Sequence, residues 1–164
     1  MGSFNILQKC DNALVAYLIA GGAGSADNVL PNKRSRVMTM PVTVCESHDA
    51  SPVSNDLSGT YEIDASIYVR TRGFASTTAA NTAGVPASDS GDRVSATFDL
   101  FNIQQDQSGE PLATAINAAA GTVSGFKMQD VRVHRIRAGF EAKGDAWCDI
   151  IDLKIVCSAN DAAV

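Results

Sequence analysis

In Tyr61-Glu62-Ile63-Asp64-Ala65-Ser66-Ile67-Tyr68-Val69-Arg70-Thr71-Arg72, apolar and polar side chains alternate. Tyr61, Ile63, Ala65, Ile67 and Val69 share one parity; Glu62, Asp64, Ser66, Tyr68, Arg70 and Arg72 share the other. A period of two belongs to a strand, because successive side chains point to opposite faces. One face therefore packs on a core and the other meets water or a partner.

The flanking segments extend this strand into a sheet. Val37 to Glu46 alternates Met38, Met40, Val42 and Val44 with Thr39, Pro41, Thr43 and Cys45, which predicts one buried and one wetter face. Pro41 cannot donate to a ladder, so that strand is expected at an edge or bulged. Ser47 to Gly59, with His48, Asp49, Pro52, Asn55 and Asp56, reads as turns. Farther on, Phe126 to Ala138 changes parity. Phe126 and Met128 are even, Val131 and Val133 odd, and Ile136 even again, so a bulge is expected near Gln129–Asp130. Ala146 to Ser158 has Trp147, Ile151, Leu153, Ile155 and Cys157 on one face and Cys148, Ile150 and Val156 on the other. That pattern predicts a central strand covered on both sides, with Trp147 anchoring the core.

Three helices interleave with these strands. The first is expected over about Phe4 to Ile19, on a stripe of Leu7, Cys10, Leu14, Tyr17 and Leu18, with Ser3 as N-cap and Gly21-Gly22 as its end. The second runs from about Asp92 to Gln104 on Val94, Phe98 and Phe101. The third has Pro111 in its first turn, Leu112, Ala115, Ile116 and Ala119 toward the core, and Gly121 at its end. The fold expected is α+β: a mainly antiparallel sheet of about four strands, with an N-terminal helix and two central helices packed on one face. Residues 1–164 read as one structural domain with a long loop or arm at 73–91. Fourteen of those nineteen loop residues are Ala, Ser, Thr or Gly, too little apolar bulk to pack alone, so the loop is expected to order against a partner.

The net charge of −5 argues against a general nucleic-acid binder. No apolar run is long enough to span a membrane. The apolar Ala13–Ala20 follows a neutral stretch, so it is expected to be helix rather than a secretory signal. Cys10, Cys45, Cys148 and Cys157 form no C-x-x-C pair and are expected as free, packed thiols in a reducing cytoplasm.

Chemistry is sparse. His48 and His134 are the only histidines, and Cys45-Glu46-Ser47-His48-Asp49 lacks a second ligand pair, so no metal and no cofactor are expected. No G-x-S-x-G elbow accompanies a serine. Gly21-Gly22-Ala23-Gly24-Ser25 follows a helix and lacks the G-K-[ST] of a phosphate loop. The basic groups Lys33/Arg34/Arg36, Arg70/Arg72 and Arg132/Arg135/Arg137 read as solvated faces or subunit ion pairs.

Gly59-Thr60-Tyr61 through Arg70, preceded by Met40-Pro41-Val42-Thr43-Val44, is one part of a wider pattern. Leu112-Ala113-Thr114-Ala115-Ile116-Asn117 and then Asp145-Ala146-Trp147-Cys148-Asp149-Ile150-Ile151-Asp152-Leu153-Lys154-Ile155 complete it. In this order of elements the chain resembles the small neck and tail terminator proteins of tailed bacteriophages. The resemblance implies a non-enzymatic virion protein, assembled in the bacterial host cytoplasm as a ring, usually six-fold. Its partners would be copies of itself, the tail tube protein and neck or connector proteins, with DNA passing through the lumen without specific binding. Interface candidates are Tyr68, Arg70 and Arg72 on the polar face, and Phe74 and Val85 in the loop. The alternatives are another phage part (tail tube, baseplate or capsid-associated) or a small cytoplasmic enzyme or ligand binder.

Overall fold

The computed structural model describes residues 2–31, 42–53, 59–72, 92–101, 109–121, 123, 125–141 and 146–159. In chain order they form α1 (Gly2–Ala20), β1 (Val29–Pro31), β2 (Val42–Pro52), β3 (Thr60–Arg72), α2 (Asp92–Phe101), α3 (Glu110–Ala120), β4 (Phe126–Glu141) and β5 (Ala146–Ala159). The sheet has the order β1-β2-β3-β5-β4, antiparallel except for β1, which runs parallel to β2. Two hairpins, β2–β3 and β4–β5, are joined through β3 and β5. The class is α+β as expected, with five strands rather than four. The extra strand, β1, has three residues, too few for a period, and is held in part by the Thr43 N–H donating to the Asn28 carbonyl at 2.8 Å.

The core lies between the helices and one sheet face. Ile63, Ala65, Ile67 and Val69 of β3 and Ile151, Leu153, Ile155 and Cys157 of β5 are buried there, as their parity requires. In register, Ile67 faces Ile151 and Ile63 faces Ile155 across β3 and β5. Fully burying such a side chain is worth about 1.5–3 kcal/mol. From α1, Ile6, Cys10, Leu14 and Leu18 reach the same core at four-residue steps. This helix ends as Gly21-Gly22 predicts. Gly22 has φ 79°, its N–H bonds the Ile19 carbonyl and the Ala23 N–H bonds that of Leu18. That pairing is a Schellman motif, with Ala23 buried over the last turn.

Phe101 of α2 stacks edge-on against Tyr17, ring centroids 5.6 Å apart, while the Tyr17 hydroxyl donates to the Leu100 carbonyl. Helix α3 is tied to β4 at two points. Gly109 exchanges two backbone bonds with Val131, at 2.7 and 3.1 Å. Asn117 donates to the Met128 carbonyl at 2.8 Å and accepts from the Met128 N–H at 3.0 Å. Leu112, Ala113 and Ile116 face the core; Ala115, expected there, is exposed.

Several sequence expectations shift. Ser47 to Pro52 belongs to β2 rather than to turns, because a bulge between Ser47 and Asp49 lets pairing with β3 continue. Residues 37–41 lie outside the described ones, Pro41 included. The expected wetter parity of β2 is the helix side: Cys45 joins the main core and Thr43 is buried. Val42 and Val44 pack on the opposite face with Tyr68 and Cys148. The bulge expected in β4 lies between Met128 and Asp130, and a second separates Val133 from Arg135. The backbone of Trp147 pairs with Thr71 and Phe140, but its side chain lies outside the described ones, as does the segment 73–91. All four cysteines are buried thiols outside any disulfide.

Asp11 is an acid inside the α1–β2 contact, only 5% exposed, and accepts from the Ser47 N–H at 2.7 Å and the Ser47 hydroxyl at 2.6 Å. Burial pushes its carboxyl up to about 6; the Ser47 bonds oppose this and nearby Glu46 adds to it. A folded value above the ordinary 3.8 means that the folded state holds a proton the unfolded chain releases. This contribution is full below the ordinary value and is lost as pH rises through about 6. Asp11→Asn keeps the acceptor and removes the charge. Urea unfolding should find the variant more stable than the parent above that pH, with the advantage shrinking in acid. An advantage independent of pH would contradict the assignment.

Candidate functional site

The sheet face opposite the core carries no helix among the described residues. Its floor is β3 and β5, where Asp64 faces Lys154, Ser66 faces Asp152 and Tyr68 faces Ile150. The walls are β2 and β4, each broken by a bulge. The extra residue is His48 in one and His134 in the other. A bulge re-aims the side chain it carries. The two histidines of the chain thus line one cavity of about 270 Å³, together with Asp64, Ser66, Arg135, Arg137, Asp152 and Lys154.

Asp152 organises this cavity. It accepts from Ser66 Oγ at 2.6 Å, from Arg135 Nε at 3.1 Å, and from Arg137 through Nε at 3.0 Å and Nη2 at 3.1 Å. Partial burial pushes the Asp152 carboxyl up, but the bonds from Ser66, Arg137 and Arg135 outweigh that and hold it below the ordinary carboxylate value. Lys154 bridges Asp64 at 2.9 Å and Glu62 at 3.6 Å, and its ammonium is raised chiefly by the Asp64 bond.

His48, Ser66 and Asp152 form a chain, with His48 Nε2 2.9 Å from Ser66 Oγ. Ser66 has one proton and gives it to Asp152, so His48 Nε2 is the donor to Ser66. A hydrolytic triad needs the reverse order, with the imidazole between serine and carboxylate as the base. Here the serine is in the middle and the carboxylate beyond it is a weakened base. This geometry does not activate Ser66 as a nucleophile; it fixes the orientation of His48. Among the described residues, no group of three or more His, Cys, Asp or Glu side chains converges as metal ligands.

The interface candidates fall beside the cavity. Tyr68 is 9% exposed, packed with Val42, Val44 and Cys148, its hydroxyl 3.5 Å from His48 Nε2. Arg70 is half-buried between Val42 and Cys148 in register. Arg72 pairs with Ala146 through its backbone, and its side chain lies outside the described ones. Phe74 and Val85 lie outside the described residues. Sequence reading missed the cavity itself. Its signal was the second parity change, Val133 to Ile136, which flanks His134.

The open face is also polarised. Asp49, Glu62 and Asp64 lie on β2 and β3, with Arg70 on the same parity of β3, whereas Arg132, Arg135 and Arg137 lie on β4, Arg132 bonded to Asp130 at 2.9 Å and the other two to Asp152. Asp49 stands directly opposite Asp64, a like-charge pair that Lys154 partly neutralises. Beyond β5, β4 is met among the described residues by the Gly109–Val131 bridge and by Asn117 on the Met128 backbone. Among the described residues, no helix is long and apolar enough to cross a membrane. Comparison with protein-family models matched none, and comparison with curated protein sequences matched none.

Proposed function

We infer that the chain is a structural subunit of the head–tail junction of a tailed bacteriophage. It would assemble head to tail into a ring, as tail terminator and neck proteins do. The observation that supports this best is the polarised sheet face. Acids on β2–β3 and arginines on β4 make the two sides of one subunit complementary, and head-to-tail contact between these unlike sides forms a ring where the rotation between subunits closes. Among the described residues no further strand pairs with the edge of β4 beyond Val131, and such an edge is a template for pairing with another copy. The net charge of −5 suits a lumen through which DNA slides without sticking. The partners would be further copies of the chain, the tail tube protein and neck or connector proteins. The protein would reside in the virion, after assembly in the host cytoplasm.

Native mass spectrometry and electron microscopy of the chain with its tail partners test this. Arg132 is 69% exposed at its side chain and Asp49 is exposed on the other side. Arg132→Glu or Asp49→Arg alone should lower ring yield, and the double variant should restore it. One copy per assembled particle, or single variants that leave rings unchanged, would overturn the reading. The small-ligand alternative draws on a separate observation, the cavity.

A further inference from the structure

We propose that the cavity between the two histidine bulges binds a small phosphate-class oxyanion, free or as a monoester. The site has unspent donors on several sides. Arg135 uses only Nε on Asp152, so among the described residues both its Nη groups have no partner, and Arg137 retains Nη1. His134 has no hydrogen bond among the described residues. The carboxylates, by contrast, are engaged. Asp152 accepts from Ser66 and both arginines, and Asp64 is met by Lys154.

Among the lining residues three fixed cations, Arg135, Arg137 and Lys154, meet two carboxylates, Asp64 and Asp152, and Glu62 shares Lys154 from outside the lining at 3.6 Å. Donors come from Arg135, Arg137 and His134 on the β4 wall and from Lys154 on the floor, while Nδ1 of His48 on the β2 wall is an acceptor for the protonated oxygen of a monoanionic phosphate. A tetrahedral oxyanion presents oxygens in all those directions, whereas a planar carboxylate meets donors mainly in its own plane. Arginine forks favour such anions. At about 270 Å³ the space exceeds a bare ion and approaches that of small-ligand pockets, leaving room for a monoester's organic group. This proposal does not depend on ring assembly.

The test is titration of the full chain with inorganic phosphate and, in parallel, glycerol phosphate, at constant ionic strength set by chloride. Amide chemical shifts report the binding. The expected result is saturable binding of at least one, with shifts centred on His48, Ser66, His134, Arg135 and Lys154. Arg135→Ala should weaken it roughly tenfold, the worth of about one charge-assisted contact. Arg135 is 60% exposed, so this variant is expected to keep the fold, which its spectrum checks directly. His134→Ala, at a side chain with no described bond to lose, should also weaken binding. Phosphate alone binding would identify a free ion, and glycerol phosphate binding more tightly would identify a monoester. No saturable binding of either, or binding unaffected by both substitutions, would overturn the proposal.

Discussion

Phe101→Ala is expected to lower the unfolding free energy by about 3–5 kcal/mol, the usual loss on truncating a buried aromatic. Phe101 is fully buried at the end of α2 and supplies the edge-on contact to Tyr17. Its removal leaves a void beside α1 that the core closes only in part, because Tyr17 is also held through its hydroxyl by the Leu100 carbonyl. Phe101→Leu should recover much of the loss, since it refills most of the volume. Denaturant unfolding measures both. A loss under about 1 kcal/mol would mean that α2 contributes little to the cooperative unit.

Asp152→Ala carries the second large effect, a loss of about 1–3 kcal/mol. The ion pairs themselves supply little of it, since Arg135 and Arg137 are 60% and 43% exposed at their side chains and exposed pairs are screened. Most comes from Ser66, a buried hydroxyl left without its acceptor, and from two guanidiniums left without their shared counter-charge. The folded pKa of Asp152 is lowered. Its stabilisation is therefore present above the ordinary carboxylate value and lost as pH falls through the folded one. The difference between parent and variant should be smaller in acid and widen toward neutral pH. This slope is opposite to that of Asp11, so the two carboxylates are distinguishable in one pair of pH series. Equal differences at every pH would place the loss in packing rather than in charge.

How far the sequence reports this fold depends on which forces act locally. The register of β3 and the helix-facing parity of β5 are legible because each apolar residue meets the same core. The end of α1 is legible because Gly22 alone takes the required positive φ there. By contrast, β1 is three residues whose pairing comes from β2, and no local pattern announces it. His48 and Asp49 look like turn residues, since polarity in a short window does not separate a turn from a bulged strand. The cavity was invisible for a further reason. Ser66 and Asp152 are eighty-six positions apart, and only the β3–β5 register sets them side by side.

The distribution of cysteines has a practical corollary. Cys10, Cys45 and Cys157 sit in the helix-side core, where burial raises each thiol above its ordinary value, Cys157 to about 12. Cys148 belongs to the separate cluster on the opposite face. Reagents attack the thiolate, so buried thiols react through opening of the structure. A labelling time course therefore doubles as a map of breathing. One equivalent reads excursions of the open face, and three read opening of the core. The molecule carries two clocks on its two sides, readable without any engineered probe.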